Sequence, residues 1–124
     1  MGRIVAARLP ESFTVLSGDD SLTLPFMSVG AVGVVSVASN LFPAEVCALV
    51  RAYESGDAKS ALNLHRKMFP LFKDLFLEPN PVPVKTALGW RGAMSGEVRL
   101  PLCEMSESSQ ARLRKTLEAF EQEK

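Results

Sequence analysis

The stretch from Val15 to Asn40 constrains this chain most, because it dictates how two strands must lie. It reads VLSGDDSLTLPFMSVGAVGVVSVASN. Phe13 to Leu16 is a short β-rich apolar run, broken by Ser17-Gly18. Asp19, Asp20 and Ser21 follow, and their side-chain oxygens can accept the open N–H groups of a first helical turn. Leu22, Leu24, Phe26 and Met27 then carry a short helix that stops at Gly30. Val32 to Val37 is almost purely apolar and β-branched, the pattern of a strand buried on both faces. Strand, crossover helix and strand make a βαβ unit. The prediction is two parallel strands, near 13–17 and 32–37, joined by a right-handed crossover.

The rest of the chain reads as helix. Arg3 to Leu9 has the look of a helix tail stopped by Pro10. Asn40 offers a cap, and Pro43 suits a first turn, where its missing N–H costs little. Val46, Leu49, Val50 and Tyr53 follow the i, i+3, i+4, i+7 spacing of one apolar face. Gly56 ends that helix and Asp57 caps the next, which runs to about Phe76. Ala61, Leu64, Met68, Leu71, Phe72 and Leu75 form its stripe, and Leu62, Phe69 and Phe76 widen it. Pro70 removes one of its hydrogen bonds and predicts a bend. Prolines 79, 81 and 83 impose an extended turn. A short helix is expected at about Val84 to Leu88, then a loop carrying Trp90 among Gly89, Gly92 and Gly96. The last helix starts at Ser106 and buries Leu113, Leu117 and Phe120, with Glu121 to Lys124 fraying.

The chain has 124 residues, with 47% hydrophobic residues and fourteen basic residues against fourteen acidic ones. That is enough for one modest core. It provides no basic field for nucleic acid or anionic lipid, so neither partner is expected. The longest apolar stretch, Ala31 to Ala38, falls well short of the ~20 residues that span a membrane. Cys47 and Cys103 lack metal-site spacing, and His65 is the single histidine. No metal and no cofactor are therefore expected. A cytoplasmic setting, with both thiols reduced, is the natural reading.

Three motifs carry a resemblance to a known family. The SGDD of Ser17–Asp20 with the GVVSVASN of Gly33–Asn40 resembles the seventh and eighth βα units of the dihydrodipicolinate synthase family. Glu78-Pro79-Asn80-Pro81-Val82-Pro83-Val84-Lys85 resembles its EPNPxPVK stretch, and Arg99-Leu100-Pro101-Leu102 its RLPL stretch. The resemblance implies a mainly helical α/β fragment: the last two βα units of a TIM-barrel class I aldolase plus its helical C-terminal domain. Residues 1–41 would be partial barrel, the end of a helix and then βαβ. Residues 42–124 would be the C-terminal domain, with 42–55 the last barrel helix. The family condenses pyruvate with aspartate semialdehyde in lysine biosynthesis.

A class I aldolase needs a lysine whose neutral amine condenses with the keto group of pyruvate, giving a protonated imine that serves as electron sink. In the resembling family that lysine lies on the sixth strand, and the tyrosine and threonine of its proton relay lie earlier still. All of these positions would precede Met1. Lys85 is the one lysine inside a family motif, but there it opens a helix. No catalytic residue is therefore assigned. In such barrels the chemistry sits at the C-terminal ends of the strands, and by resemblance Gly18, Asp19, Val35 and Ser36 would line the pyruvate pocket. Asp19 and Asp20 suit helix capping better than general acid–base work or Mg²⁺ ligation, and Glu78 is read as a turn carboxylate. The chain is expected to be inactive alone. It would self-associate or join a separate N-terminal half, binding pyruvate only once the barrel is completed. The alternatives are the C-terminal half of a split synthase, active with a separate N-terminal half, and a non-catalytic interaction or regulatory module.

Overall fold

The computed structural model describes residues 10 and 12–122. Among them lie five α-helices, two single-turn 3-10 segments and one parallel contact between extended stretches. The 3-10 turn Asp20–Leu22 leads into α1 (Thr23–Met27), and the turn Ala38–Asn40 precedes α2 (Pro43–Glu54). The helices α3 (Ala58–Asp74), α4 (Val82–Trp90) and α5 (Glu107–Gln122) follow. The chain is mainly helical, as its pattern demands. The helix tail expected over Arg3 to Leu9 lies outside the described residues.

The two β-rich runs do meet in parallel, on either side of α1. Val32 donates to the Val15 carbonyl (3.0 Å), Ser17 to Gly33 (2.9 Å) and Val35 to Ser17 (2.8 Å). The pairing is shorter than predicted. Val37 already has helical dihedrals (φ −81°, ψ −43°), because the chain turns there into Ala38–Asn40. Burial on both faces is also corrected. Val34 and Val37 pack against the helical core, but Val32 and Val35 remain 51% and 67% exposed. Covering a strand twice needs a layer on each side, and the described helices supply one.

The core belongs to the helices. Leu49 of α2, Met68 and Leu71 of α3 and Leu113 of α5 are at most 1% exposed, and Leu75, Val82 and Ala87 join them. Phe42 and Phe120 meet edge to face with centroids 4.6 Å apart. Local signals set the boundaries. Gly30 and Gly56 take φ of +105° and +84° where α1 and α2 stop, a region that costs glycine nothing. Asp57 caps α3, its carboxylate accepting from the Ser60 N–H at 3.0 Å. α3 runs through Pro70 without interruption.

Several expectations shift. Asn40 caps nothing: its side-chain amide donates to the Val37 carbonyl (3.0 Å), and α2 starts at Pro43 without a side-chain cap. Leu62, Phe69 and Phe76 do not widen the buried stripe of α3, being 38%, 42% and 44% exposed. The packing partners cover only the Met68, Leu71 and Phe72 side. Trp90 ends α4 rather than riding a loop, because the Arg114 guanidinium lies 3.7 Å over its ring and holds it against α5. Glu121 is likewise drawn in from the expected fray by an ion pair with Arg91.

Polar ties join the helices. Asp74 is 4% exposed. It accepts from Arg112 (2.8 Å) and Thr116 (2.6 Å), fastening the end of α3 to α5. Glu78 accepts from the Ser106 N–H (3.0 Å) and hydroxyl (2.8 Å), so the EPNP turn caps α5 from outside. These bonds hold the Glu78 carboxyl below the usual carboxylate range, and the bonds from Ser60 do the same for Asp57. A carboxylate with a lowered value contributes stability that is present above its ordinary value and lost as pH falls through the folded one.

Two measurements test this core. Leu71→Ala removes a side chain with no exposed surface, and should cost about 3 kcal/mol in urea unfolding with little change in slope. The second concerns His65, whose Nδ1 is buried without a hydrogen-bond partner beside Phe69 and Phe72. Burial pushes its imidazole below the ordinary 6.5. As pH falls, the unfolded chain therefore takes up the proton first. Stability should be level just above pH 6.5 and decline below it, and His65→Leu should abolish that decline between about pH 6.5 and 5, before the carboxylates titrate.

Candidate functional site

Parallel strands deliver their loops to one end, and here Ser17–Asp20 and Val35–Ala38 emerge side by side. The loop after Leu16 is wound tightly around the buried Ser17. Its hydroxyl donates to the Asp19 carbonyl (2.7 Å) and accepts from the Asp19 N–H (3.2 Å). This returns the chain on itself and leaves Gly18 outermost. Gly18 is exposed, and a Cβ built on it would meet nothing within 4 Å. The space beside its backbone is open.

The two carboxylates divide their work. Asp19 is exposed and caps its own turn, one oxygen accepting from both the N–H and the hydroxyl of Ser21 at 2.7 Å. Asp20 is 1% exposed and reaches across to the other loop. One of its oxygens accepts from the Ser36 hydroxyl. The other accepts from the N–H groups of Val37 (2.9 Å) and Ala38 (3.0 Å). Both are structural acceptors, as the capping reading expected, but Asp20 caps the turn after the second strand rather than its own. A doublet of acids carries no mark of which one faces inward. With both oxygens engaged, Asp20 is not placed to exchange protons with a substrate.

Of the four residues singled out from sequence, the structure brings all to this one end. Gly18 and Asp19 face solvent, and Val35 presents a largely exposed apolar side chain. Ser36 is half-buried, and its hydroxyl is spent on Asp20 while accepting from the Ser39 N–H at 2.8 Å. The surface they make is backbone, one valine and one peripheral carboxylate. Among the described residues, no group of three His, Cys, Asp or Glu side chains is placed to hold a metal ion.

Residues outside the strands anchor this end to the helices. Arg91 donates to the Leu41 carbonyl (2.9 Å) and lies 4.5 Å over the Phe42 ring while pairing with Glu121. It thus fastens the segment just after the second loop to α4 and α5. No sequence spacing announces this contact, which spans fifty residues. Lys85 lies inside α4 and donates to the Glu97 carbonyl, so its ammonium is tied to the helical part of the molecule.

Residues 3–120 match the model of the dihydrodipicolinate synthetase family. The chain belongs to this family. A 4-hydroxy-tetrahydrodipicolinate synthase from Aquifex aeolicus is 52% identical over 116 residues, 94% of this chain and 40% of that protein. One from Endomicrobium trichonymphae is 48% identical over 106 residues, covering 86% and 36%. The solved structure of the synthase from Methylacidiphilum fumariolicum SolV superposes with a TM-score of 0.94 at 52% identity. That match covers 98% of this chain and 41% of the solved one. The chain therefore spans well under half the length of the synthases it matches. Its paired segments and helices correspond to the last two βα units of the family's aldolase barrel and to its helical C-terminal domain. The family serves lysine biosynthesis.

Proposed function

We propose that this chain forms one wall of a pyruvate-binding aldolase pocket, and that its 124 residues alone do not carry out the synthase reaction. The observation behind this is the strand end itself. Gly18 with open space beside it and Val35 two-thirds exposed form a shaped, nearly uncharged surface that no described residue completes. Imine chemistry needs an amine at that surface. Lys59, Lys67 and Lys73 lie on α3, Lys85 on α4 and Lys115 on α5, so none of them stands on the paired strands or their loops. The absence of relay groups would cost a further ~10²–10⁴ in rate.

The reading extends to partners. Val32 and Val35, with Phe13 at 59% exposure and Leu16 at 46%, make an apolar surface around a strand pair whose outer edges are unpaired among the described residues. Such edges recruit further strands. A separate N-terminal half that completes the barrel is the partner this surface suits best. A second copy is the next, and a non-catalytic role docked on a full-length synthase is the third. The exposed, unpaired Cys47 and Cys103 support a reducing, cytoplasmic setting.

Two experiments follow. Incubation of the purified chain with pyruvate, borohydride reduction and intact-mass measurement should give no adduct. A stoichiometric adduct on Lys85 or any other lysine would overturn the non-catalytic reading, and an adduct formed only with an added N-terminal half would make this chain part of a two-piece enzyme. Sedimentation over a wide concentration range should show association of the chain. A monodisperse monomer at high concentration, with Val32 and Val35 protected from solvent, would refute the open-edge argument.

A further inference from the structure

We infer that Asp20 is a positioning residue: its carboxylate locks the loop after the first strand to the loop after the second. Gly18–Asp19 and Val35–Ser36 thereby keep one fixed spacing. The inference rests on the reading of those four residues as pocket wall.

Backbone pairing between the strands ends with the Val35 N–H on the Ser17 carbonyl. Past that bond, among the described residues, the loops are joined through the Asp20 side chain. Three donors converge on it from sixteen to eighteen residues away: the Ser36 hydroxyl, the Val37 N–H and the Ala38 N–H. Hydrogen bonds to an ionised acceptor are about twice as strong as neutral ones. They are stronger still when, as here, the carboxylate is 1% exposed. The lock is braced on both sides. Ser36 Oγ accepts from the Ser39 N–H, so the hydroxyl is fixed from two directions. On the other loop, the buried Thr23 donates its hydroxyl to the Asp20 carbonyl at 2.9 Å. Thr23 thus holds the Asp20 backbone in its own loop while the second loop holds the carboxylate, and Val35 stands between the last strand bond, through its own N–H, and the first bond of the lock, through Ser36.

The prediction separates a local lock from general stabilisation. Asp20→Ala leaves two N–H groups and a hydroxyl without their acceptor. Asp20→Asn keeps the shape: its amide oxygen can accept both N–H groups, and its NH₂ can donate to Ser36 Oγ. Amide exchange followed by NMR on the full chain reads the difference. In Asp20→Ala, the Val37 and Ala38 amides should exchange at least about tenfold faster, and the Gly18 and Val35 resonances should shift. Leu71 and Leu113 should keep their protection, and Asp20→Asn should restore most of the lost protection. Unchanged exchange at Val37 and Ala38 would overturn the proposal, as would uniform loss that includes Leu71 and Leu113. Ser36→Ala, which leaves the helical core intact, supplies a second test: the Ser39 amide should exchange faster and the Val35 resonance should move, and their constancy would count against the lock. Pyruvate trapping does not enter these measurements. A rigid wall that binds no pyruvate removes the pocket reading and leaves the lock standing.

Discussion

Two parallel strands cannot hold themselves together, and the structure is arranged around that constraint. Three backbone hydrogen bonds join the pair, each contributing about 1 kcal/mol net, against roughly 1–2 kcal/mol of backbone entropy for every residue fixed. The balance is restored from outside the pair. Val34 and Val37 lean on the helical core. Ala38, Leu41 and Phe42, which follow immediately, are buried within it. The strand end is thus an extension of the helical packing, which explains why Val34 is covered while Val35, one residue on, is not.

Carboxylates make the connections that apolar contacts cannot. Asp20 joins the two strand loops, Asp74 joins α3 to α5, and Glu78 joins the EPNP turn to the start of α5. In each case an acidic side chain accepts from donors that would otherwise be left open: turn N–H groups, a guanidinium or a serine. Burying a charge without such partners costs several kcal/mol, whereas a fully bonded one fixes geometry. Arg91 does the corresponding work with opposite sign, donating to Leu41 and lying over Phe42. The acids that sequence offers as candidate chemistry are therefore largely fasteners.

Periodicity made the helices legible. The Leu113–Leu117–Phe120 face is buried as its spacing demands, and of the Val46–Leu49–Val50–Tyr53 face the first two are buried and the last two half-buried; Asp57, Gly30 and Gly56 mark ends by local chemistry that needs no tertiary information. What could not be read depended on contacts distant in sequence. Trp90 stays helical because Arg114 covers it, and Leu62, Phe69 and Phe76 stay exposed because nothing described packs on that side of α3. The four residues taken from motif resemblance, Gly18, Asp19, Val35 and Ser36, lie at one end of the strand pair, because the paired strands run parallel. The division of labour between Asp19 and Asp20 was not legible, since it depends on which carboxylate the tight turn around Ser17 points inward.

That division also limits what this part of the molecule contributes. Asp20 is buried and saturated, and the Ser36 hydroxyl is held on it. Asp19 uses one oxygen on Ser21 and lies at the rim. What faces the open space is the Gly18 backbone and the Val35 side chain. On the proposed reading, a wall of this kind would set shape and supply backbone dipoles of fixed direction, and such preorganised groups favour a transition state only when the reacting atoms are held against them. On the proposed pocket reading, rigidity is what these two loops would contribute, and the buried Asp20 carboxylate bridging them supplies it.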